Sequence, residues 1–142
     1  MTDTTGFAVI RMAQRPCAIR CSQIVEIVPR VELTQVPDTG GELLGVINLR
    51  GRVVPVLDVR PRLQQGEAGA LPPYQHLVIV NCAHGAIGLA VDEVRDVVTL
   101  PEGAIETPGR VTGTRSAGVM HLADQLVLVL EPDDLVHDLE SN

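Results

Sequence analysis

Lysine and tryptophan are absent from the 142 residues, and Phe7 and Tyr74 are the only aromatic side chains. A single-stranded nucleic-acid binder stacks bases on rings and tracks phosphates with a basic groove. This chain has almost no rings, and its formal net charge is −7. Its 11 cations are all arginine. Eight of them face six carboxylates in residues 1–62, and three face twelve in residues 63–142. A nucleic-acid partner is therefore not expected. With 45% hydrophobic residues and so few rings, the core must be built of Val, Leu, Ile and Ala, which favours strands. No apolar run approaches the ~20 residues of a membrane span. The first residues, MTDTTGF, lack the basic and apolar regions of a secretory signal, so no direct membrane insertion and a cytoplasmic location are expected.

Cysteine is scarce as well. Cys17, Cys21 and Cys82 are an odd set that reads as free buried thiols. Cys17 and Cys21 stand ~13 Å apart along a strand, too far to share a metal, so no metal site is expected. The histidines (His76, His84, His121 and His137) have no ligand spacing. Ser22 and Ser116 lie in no nucleophile motif, and no phosphate-cradling G-x-x-x-x-G-K occurs. Acidic pairs such as Asp92-Glu93 and Asp133-Asp134 read as surface charge or helix-start residues. No enzyme and no cofactor are implied.

What is present is β pattern. The stretch Gly45–Leu63, GVINLRGRVVPVLDVRPRL, holds two apolar runs, Gly45–Leu49 and Val53–Leu57, around Arg50-Gly51. Gly51 can take positive φ freely, so the pattern predicts a hairpin with a tight turn and Arg50 at its tip. Earlier, FAVIRMA (7–13) and CAIRC (17–21) predict strands about a turn at Gln14-Arg15-Pro16, and IVEIV (24–28) predicts another. Turns are expected at Pro37-Asp38 and Gly40-Gly41. Asp58 is placed to cap a helical turn at Val59–Leu63. Later, LVIVNC (77–82) and AIGLAV (86–91) flank Ala83-His84-Gly85, and DEVRDVVTL (92–100) is β-rich. Gly118–Ala123 and Leu126–Leu130 follow around a turn at Asp124-Gln125. A last helix begins at Pro132, with Leu135, Val136 and Leu139 on its apolar stripe. Residues 64–75 and 101–117 read as connections.

Self-comparison is more informative still. Shifted by 73, Gly45, Val46, Leu49, Val54, Val56 and Leu57 meet identical residues at Gly118, Val119, Leu122, Val127, Val129 and Leu130. Shifted by 70, IVEIV meets VRDVV (94–98), and Phe7–Ala13 matches Leu77–Ala83 in apolar pattern. The expected fold is mainly β: two pseudo-repeated five-stranded barrel subdomains of SH3/OB-like type, with short helical turns including one at the C-terminus. Each half is too small to bury enough apolar surface alone, so a shared hydrophobic core between them is expected. The approximate halves are 7–66 and 75–139 within one domain at 7–139. Pro55 replaces the repeat's Leu128, so Val53–Leu57 should be an edge or bulged strand.

The polar residues are dispersed over turns and favour a surface meant to be touched. Arg50 heads an arginine group with Arg52, Arg60 and Arg62. Glu26 is the one acid inside an apolar strand of the first half. Read as structure it faces outward to solvent; read as function it is a charge ringed by Ile and Val that sets register at a protein interface.

These residues resemble a known family. G-V-I-N-L-R-G-x-V-V-P-V-x-D-V-R at 45–60, V-E-I at 25–27, and G-L-A-V-D-x-V at 88–94 followed by D-V-V are similar to the CheW-like coupling domain of bacterial chemotaxis. The match runs in order from about Phe7 to Leu139. The resemblance implies a non-enzymatic pair of five-stranded barrels that can exchange strands. It implies as partners the cytoplasmic tip of a methyl-accepting chemoreceptor, the regulatory domain of a CheA-type histidine kinase, and other CheW-like domains in array rings. By position in the motifs it implies a receptor-facing set of Ile24, Glu26, Asn48, Arg50, Gly51 and Val53, with Ile19 and Val25 facing the kinase. The lack of lysine and aromatics departs from many members and leaves the cognate receptor and kinase open. A chemotaxis-like pathway for surface motility or another output is the near alternative; a small-barrel nucleic-acid binder is the one from another class.

Overall fold

The computed structural model describes residues 3–36, 41–64, 70–106 and 118–140, the last four as backbone only. The expected turns at Pro37-Asp38 and Gly40, the stretch 107–117, and the side chains of His137 and Leu139 lie outside the described residues. Among the described residues, ten strands and two α-helices follow the repeated pattern. The first half holds β1 (Thr4–Met12), β2 (Arg15–Arg20), β3 (Ile24–Pro29), β4 (Leu43–Leu49), β5 (Arg52–Leu57) and α1 (Arg60–Gln64). The second holds β6 (His76–Cys82), β7 (Gly85–Val91), β8 (Glu93–Pro101), β9 (Gly118–Leu122), β10 (Gln125–Val129) and α2 (Pro132–Glu140). No helix among the described residues is long and apolar enough to cross a membrane.

The strands form two five-stranded sheets, ordered β8-β1-β2-β10-β9 and β3-β6-β7-β5-β4, here the first and second sheet. Neither sheet is confined to one of the approximate halves 7–66 and 75–139: the two exchange strands. Each sheet takes one opening hairpin (β1–β2 or β6–β7) from one repeat. It takes the third strand and closing hairpin from the other. The joints are parallel ladders with matching register, Val129 beside Ala18 in the first sheet and Val56 beside Gly88 in the second.

This exchange explains why the apolar runs are continuous rather than alternating. Strands buried on both faces have no polar side. In β6, Leu77 and Ile79 face the interior of the second sheet while Val78 and Val80 face a core between the sheets. In β10, Val127 and Val129 face the first sheet's interior, with Phe7 and Met120, while Leu128, and Leu130 just beyond the strand, face the shared core. That core also takes Ile10, Cys17, Ile19, Leu89 and, from the helices, Leu63 and Leu135. Burial pushes the Cys17 thiol up to about 12.

Some local expectations shift. The first turn is Ala13-Gln14, both at positive φ, with Met12 opposite Arg15 and Pro16 inside β2 opposite Arg11. The last hairpin turns at Ala123-Asp124 rather than Asp124-Gln125. In both, a two-residue turn with left-handed backbone matches the strand twist, and this outweighs the preference for proline or glycine. β5 is not an edge strand, since it pairs with β4 and β7. Pro55 is accommodated because the ladder to β7 begins at Val56, whereas β10 already pairs with Cys17 at Leu128. The register shift falls in β4, between Leu43 and Gly45.

The repeated glycines have a steric cause. Thr34 and Val46 exchange backbone hydrogen bonds at 2.9 Å, and Glu106 and Val119 do so at 2.8 Å. A Cβ on Gly45 (φ 155°) would lie 2.6 Å from the Thr34 oxygen, and one on Gly118 (φ 156°) 2.3 Å from the Glu106 oxygen.

The arginine group divides. Arg60 is buried and grips Asp58 through Nε and Nη2, both at 3.0 Å. Its Nη1 donates at 2.7 Å to Asp92 and to the Pro72 carbonyl. Asp92 is likewise buried, which corrects its reading as surface charge; its other oxygen accepts the Gln14 N–H at 2.7 Å. Asp92 lies where the chain passes from β7 in the second sheet to β8 in the first, so this cluster clasps the sheets together. Burial opposes the Arg60 charge, but hydrogen bonds and the charges of Asp58 and Asp92 outweigh it and hold the guanidinium above its ordinary pKa. Arg62 ties α1 to α2 by bonding Glu42 and the Leu135 carbonyl at 2.8 Å.

Candidate functional site

β3 has the polarity of an ordinary surface strand turned inside out. Ile24, Glu26 and Val28 occupy the inward, half-buried positions, and Val25, Ile27 and Pro29 face solvent. The outward reading of Glu26 is therefore corrected. The carboxylate sits on the inner side of the strand, where isolation would be costly, and Arg50 meets it.

The hairpin that delivers Arg50 is built locally. Leu49 pairs with Arg52, leaving Arg50 (φ 53°) and Gly51 (φ 83°) as a two-residue turn. Asn48 Oδ1 accepts the Gly51 N–H at 2.8 Å and so holds the turn from within. At the tip, the Arg50 side chain is 76% exposed and its guanidinium donates to both oxygens of Glu26, Nη1 to Oε1 at 2.5 Å and Nη2 to Oε2 at 3.5 Å. β3 and β4 are the outermost strands of the second sheet. Their meeting through this pair means that the sheet curls until its two edges face each other.

Beside the ion pair stands Val53, 70% exposed, the most exposed large apolar side chain among the described residues. It lies across from Asn48. Geometry thus joins Glu26, Asn48, Arg50, Gly51 and Val53 at one rim. Ile24 is half-buried but is separated from Glu26 by a bulge in β3 and packs toward the core between the sheets, away from this rim. Val25 is exposed. Ile19 is not available to any partner: it lies on an interior strand, side chain fully buried in the shared core, and its expected kinase contact is corrected.

Sequence reasoning missed four exposed apolar residues, Ile27, Val31, Val97 and Leu126. The repeat offsets pointed to two of them, since Val97 is the counterpart of Ile27 at 70 and Leu126 that of Val53 at 73. The first sheet therefore has an apolar rim in the equivalent place, with Val97 61% and Leu126 51% exposed. The cation of the pair is not repeated there. Ala123 replaces Arg50, and Asp96 in place of Glu26 accepts the N–H of its neighbour Val97.

Chemically, such a surface can bury aliphatic groups and orient them with a fixed charge. Among the described residues no cluster of three His, Cys, Asp or Glu could hold a metal.

A family model described as a CheW-like domain matches residues 6–140. A probable chemotaxis protein CheW of Rhizobium etli is 27% identical over 136 residues, covering 92% of this chain and 86% of the relative. The chemotaxis protein CheW of Bacillus subtilis is 37% identical over 95 residues, 63% of this chain and 57% of the relative. Among solved structures, the scaffolding protein TtCheW from Thermoanaerobacter tengcongensis superposes with a TM-score of 0.80 at 26% identity, covering 95% of this chain and 89% of that one.

Proposed function

Because the chain belongs to the CheW-like family of chemotaxis proteins, we propose that it is a non-catalytic adaptor joining methyl-accepting chemoreceptors to a CheA-type histidine kinase. The observation that carries this reading is the rim of the second sheet, where Val53 is left in water beside a positioned Arg50–Glu26 pair. A surface of that kind gains free energy only by being covered. In this reading the receptor's helical tip covers Asn48, Arg50, Gly51 and Val53, with Glu26 as the support beneath and Ile24 anchoring the start of β3 in the core between the sheets. The kinase regulatory domain, or another CheW-like domain in a ring, takes the outer face of β3 at Val25 and the apolar rim at Val97 and Leu126. The adaptor works in the cytoplasm and is recruited to membrane-associated receptor arrays. Signalling then needs only that the receptor state change the relative stability of two arrangements of the assembly.

Binding of separate receptor and kinase fragments tests this. Arg50→Glu sets two carboxylates against each other and should weaken receptor binding about tenfold or more, leaving kinase binding near wild type. Unchanged receptor binding by the folded variant removes Arg50 from the site. Failure of the wild-type chain to bind either fragment removes the adaptor reading itself.

A further inference from the structure

The charge that this rim has free for a partner is not the one at its tip. Arg50 is committed to Glu26 through two hydrogen bonds, and the two charges cancel. Two residues on, Arg52 is exposed at the start of β5 and has no hydrogen-bond or ion-pair partner among the described residues. Of the three charges at the rim it alone is uncompensated.

Its setting distinguishes it from an ordinary solvated arginine. It adjoins Val53, the most exposed large apolar side chain described, and lies across the hairpin from half-buried Leu49. The repeat separates what the fold demands from what this rim adds: the counterparts of Arg52 and Val53 are Gln125 and Leu126. An exposed aliphatic group at this place appears in both sheets, but a cation beside it appears in one. The chain as a whole has a net charge of −7, with its acidic excess in residues 63–142, so a partner's carboxylate meets repulsion there and is drawn to this rim.

We propose that Arg52 is a specificity-determining residue of the receptor contact. It pairs with an Asp or Glu on the receptor helix, placed within one helical turn of an aliphatic side chain that covers Val53. Arg50 stays bound to Glu26 and shapes the rim without supplying its free charge. This inference rests on the receptor reading above.

The test is receptor-fragment binding by the full chain and its Arg52→Gln and Arg52→Glu variants between about 50 and 300 mM salt. Circular dichroism controls for folding, which an exposed, unpartnered side chain should not disturb. Arg52→Gln should weaken binding about three- to fivefold, mostly through a slower on-rate, and flatten the salt dependence. Arg52→Glu should weaken it about tenfold. Changing the receptor's surface carboxylates to lysine one at a time should find one that restores Arg52→Glu but not Arg50→Glu. Wild-type affinity and salt dependence in Arg52→Glu overturn the inference alone, and so does a loss that no receptor lysine restores. Absence of wild-type binding overturns the receptor reading and this inference with it.

Discussion

At the rim of the second sheet, Ile27 and Val53 stand beside Glu26, Arg50 and Arg52. At the rim of the first, Val97 and Leu126 stand beside Asp96, Ala123 and Gln125. The corners differ in the same way. One is the buried Arg60–Asp58–Asp92 clasp. At its counterpart, Ser22 replaces Asp92 and Asp133 replaces Arg60. There Asp133 accepts the Ala83 N–H at 2.7 Å and Gln23 donates to Glu131 at 2.7 Å. What the two repeats share is apolar pattern and glycine, which make the fold. What they do not share is the arginines, which give the second sheet its own surface and one corner its buried clasp.

Three measurements would break or sharpen this comparison. The largest effect is expected at the shared glycines. Gly118→Ala should cost about 4 kcal/mol and Gly45→Ala about 3 kcal/mol in urea unfolding, from the Cβ–oxygen clash and unfavourable backbone. Gly51→Ala, with open space around it but φ at 83°, should cost about 1 kcal/mol. Equal costs at all three would mean that the repeated close approaches do not matter.

Next come the unshared corners. Asp92→Ala leaves the Gln14 N–H without its acceptor and removes one of two carboxylates from buried Arg60, and should cost about 3 kcal/mol. Asp133→Ala loses one hydrogen bond to a turn and should cost about 1 kcal/mol. If the two prove alike, the clasp is no stronger than its counterpart.

Smallest at neutral pH, and growing only above pH 9, is the effect of Cys17, which sits where the repeat has Ile87. Its thiol titrates near 9.0 when free but at about 12 in the fold. Stability should therefore be full below pH 9 and decline from 9 to 12, as the unfolded chain gains a thiolate that the native state refuses. The slope approaches about 1.4 kcal/mol per pH unit. Cys17→Val should flatten that part of the profile relative to wild type; parallel profiles would count against a buried neutral thiol.

Much of the site was legible without coordinates because it rests on short-range chemistry. Asn48-Leu49-Arg50-Gly51 specifies its own turn, since the amide acceptor, the permissive glycine and the flanking β-branched residues all act within a few bonds. The inward direction of Glu26 was not legible. An acid in an apolar strand is assigned to solvent unless its partner is known, and the partner lies 24 residues away across the curled sheet. Ile19 misled for the converse reason: nothing near it in sequence says that β2 is interior, because its neighbour β10 comes from the far end of the chain.

The residue order alone determined a doubled β architecture with aliphatic cores, two helical turns and a charged hairpin tip, since periodicity, turn chemistry and internal repetition are local properties. Only the tertiary structure decided which repeat supplies each strand, that Arg60 and Asp92 are buried while Val53 and Leu126 are exposed, and that Arg50 is bound to Glu26. Those outcomes depend on long-range pairing, in which equivalent hairpins of the two repeats offer nearly the same apolar edge. The packing of both sheets around one shared core selects between them.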